Sequence, residues 1–245
     1  MSGLRNTWPP GPGRVHWDAA GVHVWRIGLD VPPDRLTELR SLLSAEEEAR
    51  ALRCRLPVER DRYVVGRAAV RDILSRCTGV RPRRLLLTRG ARGRPRLAGP
   101  TTQRLDFNLS HSGADALLAV ARGGQVGIDI EVVDPGVDHR AMATRFFGAA
   151  EAAAVRALPD TEGRQAFFTG WTRREAYAKA NDTRIPVELD ETGTWRVWDL
   201  TVGSGVRAAL VAPALLTDVH CWTWEGTGGP GRAAIPHSRS RRNWE

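Results

Sequence analysis

Lysine is nearly missing from this chain of 245 residues: of its 36 basic residues only Lys179 is lysine, the others being arginine. Cysteine is scarce too. Cys54, Cys77 and Cys221 fall at neither metal-ligand nor redox spacing, which excludes a disulfide framework or thiolate metal centre and points to a reducing compartment. No apolar run approaches the roughly 20 residues that a bilayer span requires, and the opening MSGLRNTWPPGPG has no apolar stretch of the kind that directs secretion. A cytoplasmic protein without a membrane partner is expected. With 42% hydrophobic and 26% charged residues, the composition excludes a disordered or collagen-like chain and suits one large domain or two small ones.

Also absent is any βαβ alternation, so a doubly wound parallel sheet is not expected. What is present reads as α+β. Residues 1–13 and 226–245 lack apolar periodicity and read as mobile tails. Between them Val22–Gly28 alternates as a strand, a helix is predicted from Leu36 to about Leu43, and Ser44 opens another with a capping pattern. Arg60–Cys77 has the period of a long amphipathic helix whose polar face carries Arg60, Arg62, Arg67 and Arg71. A short strand at Leu85–Thr88, a loop at Arg89–Pro95, an extended Leu105–Leu109 and a turn at Ser110–Gly113 follow. Two apolar runs, Ala116–Ala121 and Val126–Val132, flank Gly123-Gly124 and are expected to pair as a β-hairpin. Helices are predicted at about 137–147, 149–157 and 162–180, and strands at about 194–202, 206–212 and 219–224.

The net charge of +8 favours a polyanionic partner: nucleic acid, a phosphorylated cofactor or an acidic protein. A general bias toward arginine accounts for part of it, and the arginines from Arg232 to Arg242 for more. Lys179 is more informative, because arginine cannot replace lysine where a compact point charge or a titratable amine is needed.

Three segments carry candidate chemistry. In Val126-Gly-Ile-Asp-Ile-Glu131, strand alternation sends Val126, Ile128 and Ile130 to the core and Gly127, Asp129 and Glu131 to the other face. Two carboxylates held side by side suit Mg²⁺, and Gly127 leaves room for a ligand. A solvated strand face with salt bridges is the alternative. On the helix, Trp171, Glu175 and Lys179 lie at i, i+4 and i+8 on one face, where a plain Glu–Lys pair beside a tryptophan anchor would look the same. Finally, Phe107-Asn-Leu-Ser-His-Ser-Gly113 offers the hydroxyls of Ser110 and Ser112, the His111 imidazole and turn amides, all able to hold phosphate oxygens. No G-x-S-x-G elbow surrounds Ser110 or Ser112, which leaves a hydrolase unsupported.

Taken in order, GRP (93–95), FNLSHSG (107–113), VGIDIE (126–131), RFF (145–147) and WTRREAYAK (171–179) resemble the 4′-phosphopantetheinyl transferases of the surfactin-synthetase-activating, or Sfp, type. The resemblance implies two similar α/β subdomains in a pseudo-twofold arrangement, here 14–122 and 123–225, within a monomer. It implies transfer of the 4′-phosphopantetheine arm of coenzyme A to a serine of an acidic acyl or peptidyl carrier protein, as in secondary metabolite biosynthesis, with release of adenosine 3′,5′-bisphosphate. Matched position by position, Asp129, Glu131 and Glu175 would hold Mg²⁺, or Mn²⁺ in its place. His111 would touch a phosphate of coenzyme A, Lys179 the pyrophosphate and Arg62 the 3′-phosphate, while Arg94 and Pro95 would line the nucleotide pocket. Ser110 is a weaker contact, and Glu175, Lys179 and His111 are the expected catalytic residues. Arginine stands at Arg94 and Arg174 where the family has lysine. Since arginine stays protonated, Arg174 would act on coenzyme A only through its charge, leaving Glu175 or a metal-bound water as the base. The rivals are a Mg²⁺-dependent nuclease using the same acids, a nucleic-acid-binding protein and a non-catalytic coenzyme A binder. No recognised nucleic-acid module is present, and no nucleic-acid partner is expected.

Overall fold

A computed structural model describes residues 3–4, 7–18, 20–90, 93–99, 105–185, 189 and 192–226. In chain order, β1 (Gly3–Leu4) and β2 (Gly21–Gly28) precede α1 (Pro33–Arg40), α2 (Ala45–Ala51) and α3 (Pro57–Thr78). Five strands follow: β3 (Leu86–Arg89), β4 (Pro95–Ala98), β5 (Leu105–Ser112), β6 (Asp115–Arg122) and β7 (Gly127–Val132). Then come α4 (His139–Phe146), α5 (Ala149–Ala157) and α6 (Asp160–Ala180), and last β8 (Trp195–Leu200), β9 (Val206–Pro213) and β10 (Asp218–Thr223).

The chain thus builds one plan twice, each time a sheet with two short helices and a long one, and the fold is α+β with two similar subdomains. The sheets have the orders β10-β2-β6-β5 and β1-β8-β9-β7, and β3 and β4 form a ribbon. Each half lends the other an outer strand: β10 runs parallel to β2, and β1 parallel to β8. All other pairings between these strands are antiparallel.

Strand alternation explains the layering. Trp25 and Ile27 of β2 and Leu118 and Val120 of β6 pack under Val65, Ala69 and Ile73 of α3. On the other face Val22, Val24, Leu117 and Ala119 meet Val126, Ile128, Ile130 and Leu210, so the two sheets lie face to face. Behind the second sheet, Ala209 and Val211 of β9 pack against Ala176 and Ala180 of α6. The order of layers is therefore helix, sheet, sheet, helix.

Several expectations need correction. Ala116–Ala121 and Val126–Val132 are strands but do not form a hairpin: β6 pairs with β2 and β5, and β7 with β9. Alternation fixes which residues form a strand, whereas its partner is chosen by packing elsewhere in the chain. The hairpin is instead β5–β6, turned at Gly113, whose φ of 59° favours glycine. His111 consequently sits on a strand rather than in a turn. Arg71 is not on a solvated helix face; its guanidinium is buried against Glu47 and the carbonyls of Pro82 and Leu85. Nor are residues 7–13 a loose tail. Pro10 bridges to Thr223, the Gly11 N–H donates to the Thr223 carbonyl at 3.0 Å, and Trp8 Nε1 donates to the Thr201 carbonyl at 2.7 Å. Of the expected C-terminal tail, residues 227–245 lie outside the described residues.

Candidate active site

The site forms where β7, β5 and the last turns of α6 meet. As alternation requires, Val126, Ile128 and Ile130 are fully buried between the sheets, which turns Gly127, Asp129 and Glu131 toward α6. Gly127 does not open space for a ligand. A Cβ there would stand 1.9 Å from the Ala176 carbonyl oxygen and 2.5 Å from the Ala180 nitrogen, so the glycine lets the helix backbone lie directly on the strand.

That close approach brings Lys179 to Asp129. Lys179 Nζ donates to Asp129 Oδ1 at 2.6 Å and to Ser110 Oγ at 3.1 Å, and Ser110 Oγ donates to the same Oδ1 at 2.8 Å. Asp129 Oδ2 is buried without a hydrogen-bond partner. Glu131 accepts from Ser112 Oγ at 3.0 Å, and Glu175 stands one turn before Lys179 on α6. All three carboxyls are pushed above their ordinary range, first by burial. Mutual repulsion adds to this: Asp129 and Glu175 raise Glu131, and Asp129 raises Glu175, while the Lys179 ammonium pulls each of the three back. Three acids thus share one cation.

Among the described residues no set of three His, Cys, Asp or Glu side chains is already gathered as metal ligands. Lys179 occupies one oxygen of Asp129. The donor chemistry nevertheless fits a hard divalent cation: the donors are carboxylate oxygens, two negative charges are left over after Lys179, and Oδ2 is an unsatisfied buried acceptor.

Two clefts adjoin this cluster. One, of about 560 Å³, follows the edge of β5 past Pro95, Leu109, His111 and Lys179 to Arg184. The other, of about 450 Å³, lies under α3 and is lined by Arg50, Arg62, Tyr63, Arg67 and Gly113. His111 and Leu109 belong to both.

Not every expected residue joins the cluster. Arg94 borders the first cleft, yet its side chain is buried, donating to the carboxylate of Asp106 and to the carbonyls of Lys179, Phe107 and Val126. It fastens the ribbon to both halves. Arg62 is held in a fork by Asp30, at 2.7 and 2.9 Å, and donates to the Gly113 carbonyl at 2.9 Å. The pairing lowers the Asp30 pKa. Arg174 turns away from the acids: it pairs with Glu151 of α5 and lies 4.1 Å from the Phe147 ring centroid. Trp171, on the face of Glu175, is an aromatic anchor against Phe146 and Phe167.

Sequence reasoning missed Arg50 and Arg67 in the second cleft, and Asp106 and Asn108 beside β7; the Ser112 hydroxyl, expected to face phosphate, is bonded to β7. Asp106, Asn108 and Ser112 all carried a signal. With Ser110 they are the polar half of an alternating strand whose other half, Leu105, Phe107 and Leu109, is apolar.

Comparison with known proteins identifies the family. Residues 32–122 match the family model described as the 4′-phosphopantetheinyl transferase N-terminal domain, and residues 125–228 match that of the 4′-phosphopantetheinyl transferase superfamily. The chain is 36% identical over 222 residues to the 4′-phosphopantetheinyl transferase HetI of a Nostoc species, covering 84% of this chain and 94% of that relative. It is 35% identical over 141 residues to the 4′-phosphopantetheinyl transferase AcpT of Escherichia coli, covering 57% and 68% respectively. To the 4′-phosphopantetheinyl transferase psf-1 of Bacillus pumilus it is 30% identical over 155 residues, covering 63% and 64%. Two matched models together cover most of the chain, and a relative aligned over nearly its whole length carries the same activity in its name: the chain is a transferase enzyme of the 4′-phosphopantetheinyl transferase superfamily.

Proposed function

We propose that this enzyme moves the 4′-phosphopantetheine arm of coenzyme A onto a serine of an apo acyl or peptidyl carrier protein. One observation carries the reading: Asp129, Glu131 and Glu175 share the single lysine of the chain, beside clefts lined by arginines. Such a place suits a phosphate-rich substrate whose charge needs neutralising. In the reaction the serine oxygen attacks the phosphorus that bears the arm. The bond from that phosphorus to the bridging oxygen breaks, and adenosine 3′,5′-bisphosphate leaves.

Asp129, Glu131 and Glu175 are the residues that would hold Mg²⁺, with Mn²⁺ as a substitute; when bound, the metal supplies positive charge to the pyrophosphate oxygens. Lys179 adds an ammonium to the same oxygens, exchanging its contact with Asp129 for one with substrate. Glu175 is the base for the serine proton, a role supported by its raised pKa. His111, shared by both clefts, donates to phosphate. Arg62 attracts the 3′-phosphate, in competition with Asp30. Pro95 lines the nucleotide pocket, and Arg94 shapes it through the carbonyls it holds. Ser110, hydrogen-bonded to both Lys179 and Asp129, is a weaker contact for coenzyme A, and Arg174 contributes charge alone.

The wider reading is a cytoplasmic monomer of the Sfp type with subdomains 14–122 and 123–225, acting on acidic carriers of secondary metabolism. The single-chain tandem supports the type, and the net charge of +8 supports an acidic partner. The test is the intact mass of an apo carrier after incubation with enzyme, coenzyme A and Mg²⁺. We expect a gain of one phosphopantetheinyl group that a chelator abolishes. No gain across several carriers, with coenzyme A bound, would leave a non-catalytic binder.

A further inference from the structure

β5 and β7 are the facing edges of the two sheets, and no backbone ladder joins them. Side chains do so instead. Asp106 accepts from the Val126 N–H at 2.9 Å, Asn108 Oδ1 from the Ile128 N–H at 3.0 Å and Ser112 Oγ from the Val132 N–H at 3.1 Å. Every second side chain of β5 thereby stands in for a missing partner strand. Ser110 breaks the pattern by turning its hydroxyl to Asp129.

A serine hydroxyl has one proton to give. In Ser110, Lys179 occupies the acceptor side, which leaves the proton for Asp129. The same logic applies one alternation further on. The Val132 N–H occupies the acceptor side of Ser112, so its proton is committed to Glu131 Oε2 at 3.0 Å. Glu131 has three rotatable bonds on a half-buried strand end and is repelled by both other acids. A hydroxyl anchored to the backbone beside it fixes where that carboxylate points.

We propose that Ser112 is a positioning residue: it holds Glu131 in the orientation in which Asp129, Glu131 and Glu175 can take a divalent cation together. The assignment rests on the metal reading above. The probe is Mn²⁺ alone, titrated into full-length unaltered protein, Ser112→Ala and Ser112→Thr. Each protein is also melted and assayed for transfer from coenzyme A to a carrier. Ser112→Ala should bind Mn²⁺ about 10-fold more weakly and lose about 10-fold or more in kcat. KM for coenzyme A and the melting temperature should stay near those of the unaltered protein, and Ser112→Thr, which keeps the hydroxyl, should recover most of the loss. Unchanged Mn²⁺ binding in Ser112→Ala would overturn the assignment. So would a loss that follows the melting temperature and is not restored by threonine. Unaltered protein that binds Mn²⁺ but transfers nothing would refute the transferase reading, and Ser112 would then be judged by the titrations. A flat titration of the unaltered protein would overturn the metal reading and this assignment together.

Discussion

The two halves share a plan and differ in how their charges are settled. In the first, buried acids have arginines to themselves. Glu47 receives Arg67 and Arg71 as well as the Ser44 N–H that caps its own helix, and Asp72 receives Arg76 and the indole N–H of Trp224. The second half pairs Glu151 with Arg174 and Asp199 with Arg173, both carboxylates more exposed than Glu47 and Asp72. Yet on the inner face of α6 it crowds three carboxylates around one ammonium. A duplicated fold thus holds one balanced unit and one deliberately unbalanced. The imbalance raises the energy of the folded protein and would be relieved by a bound cation, as the proposed function requires.

If so, the same kind of substitution should have opposite consequences in the two halves. Asp129→Ala should lower kcat on the order of 10³-fold, about 4 kcal/mol of transition-state stabilisation, while thermal melting changes little. Full transfer activity in that variant would end the comparison. Glu47→Ala should instead destabilise the fold by about 3 kcal/mol, because Arg71 is left buried without its counter-ion. Urea unfolding measures this, and a loss below about 1 kcal/mol would mean that the carbonyls of Pro82 and Leu85 suffice for Arg71.

Gly127→Ala probes the contact that creates the imbalance. Its methyl would drive α6 off β7, costing about 2–3 kcal/mol by overpacking and separating Lys179 from Asp129. Both melting temperature and turnover should fall, whereas a variant reduced only in stability would show that the site tolerates the displacement.

Much of this was legible in the residues. VGIDIE gave both faces of β7 correctly, because a period of two needs no partner to be read. Ser44 and Glu47 announced a capping box, which the structure contains at both of its hydrogen bonds. What escaped was non-local. The spacing of Glu175 and Lys179 predicts a neighbouring pair on one helix, but the lysine reaches 50 positions back to Asp129 because a glycine lets two backbones touch. Arg94 sits in a loop-like GRP, where charge and Gly/Pro content suggest exposure, yet Asp106 and three carbonyls draw it inside. The exchange of β1 and β10 was equally invisible, since a strand's pattern, legible at 219–224, does not name its partner.

That exchange supplies the smallest effect, and a pH dependence of its own. Where β10 docks on β2, His23 is buried beside Trp17, Trp222 and His220, with its Nδ1 accepting from the Trp222 indole at 3.1 Å and Nε2 without a partner. Burial, then the neighbouring His220, lowers its pKa from 6.5 to about 4, with Asp18 opposing weakly. Between those values the unfolded chain binds a proton that the folded chain refuses, so stability is complete above pH 6.5 and is lost as pH falls toward 4. The loss should reach about 2 kcal/mol at pH 5, and His23→Gln, which cannot titrate, should lack it. Glu47 cannot mimic this, because its arginines hold its pKa below 4.5 and its contribution fails only in stronger acid. Urea unfolding of both proteins at pH 7.5 and 5 separates the cases. Parallel losses would move the pH sensitivity out of the strand exchange, and not into Asp129, Glu131 and Glu175, whose raised pKa values favour the folded chain as pH falls.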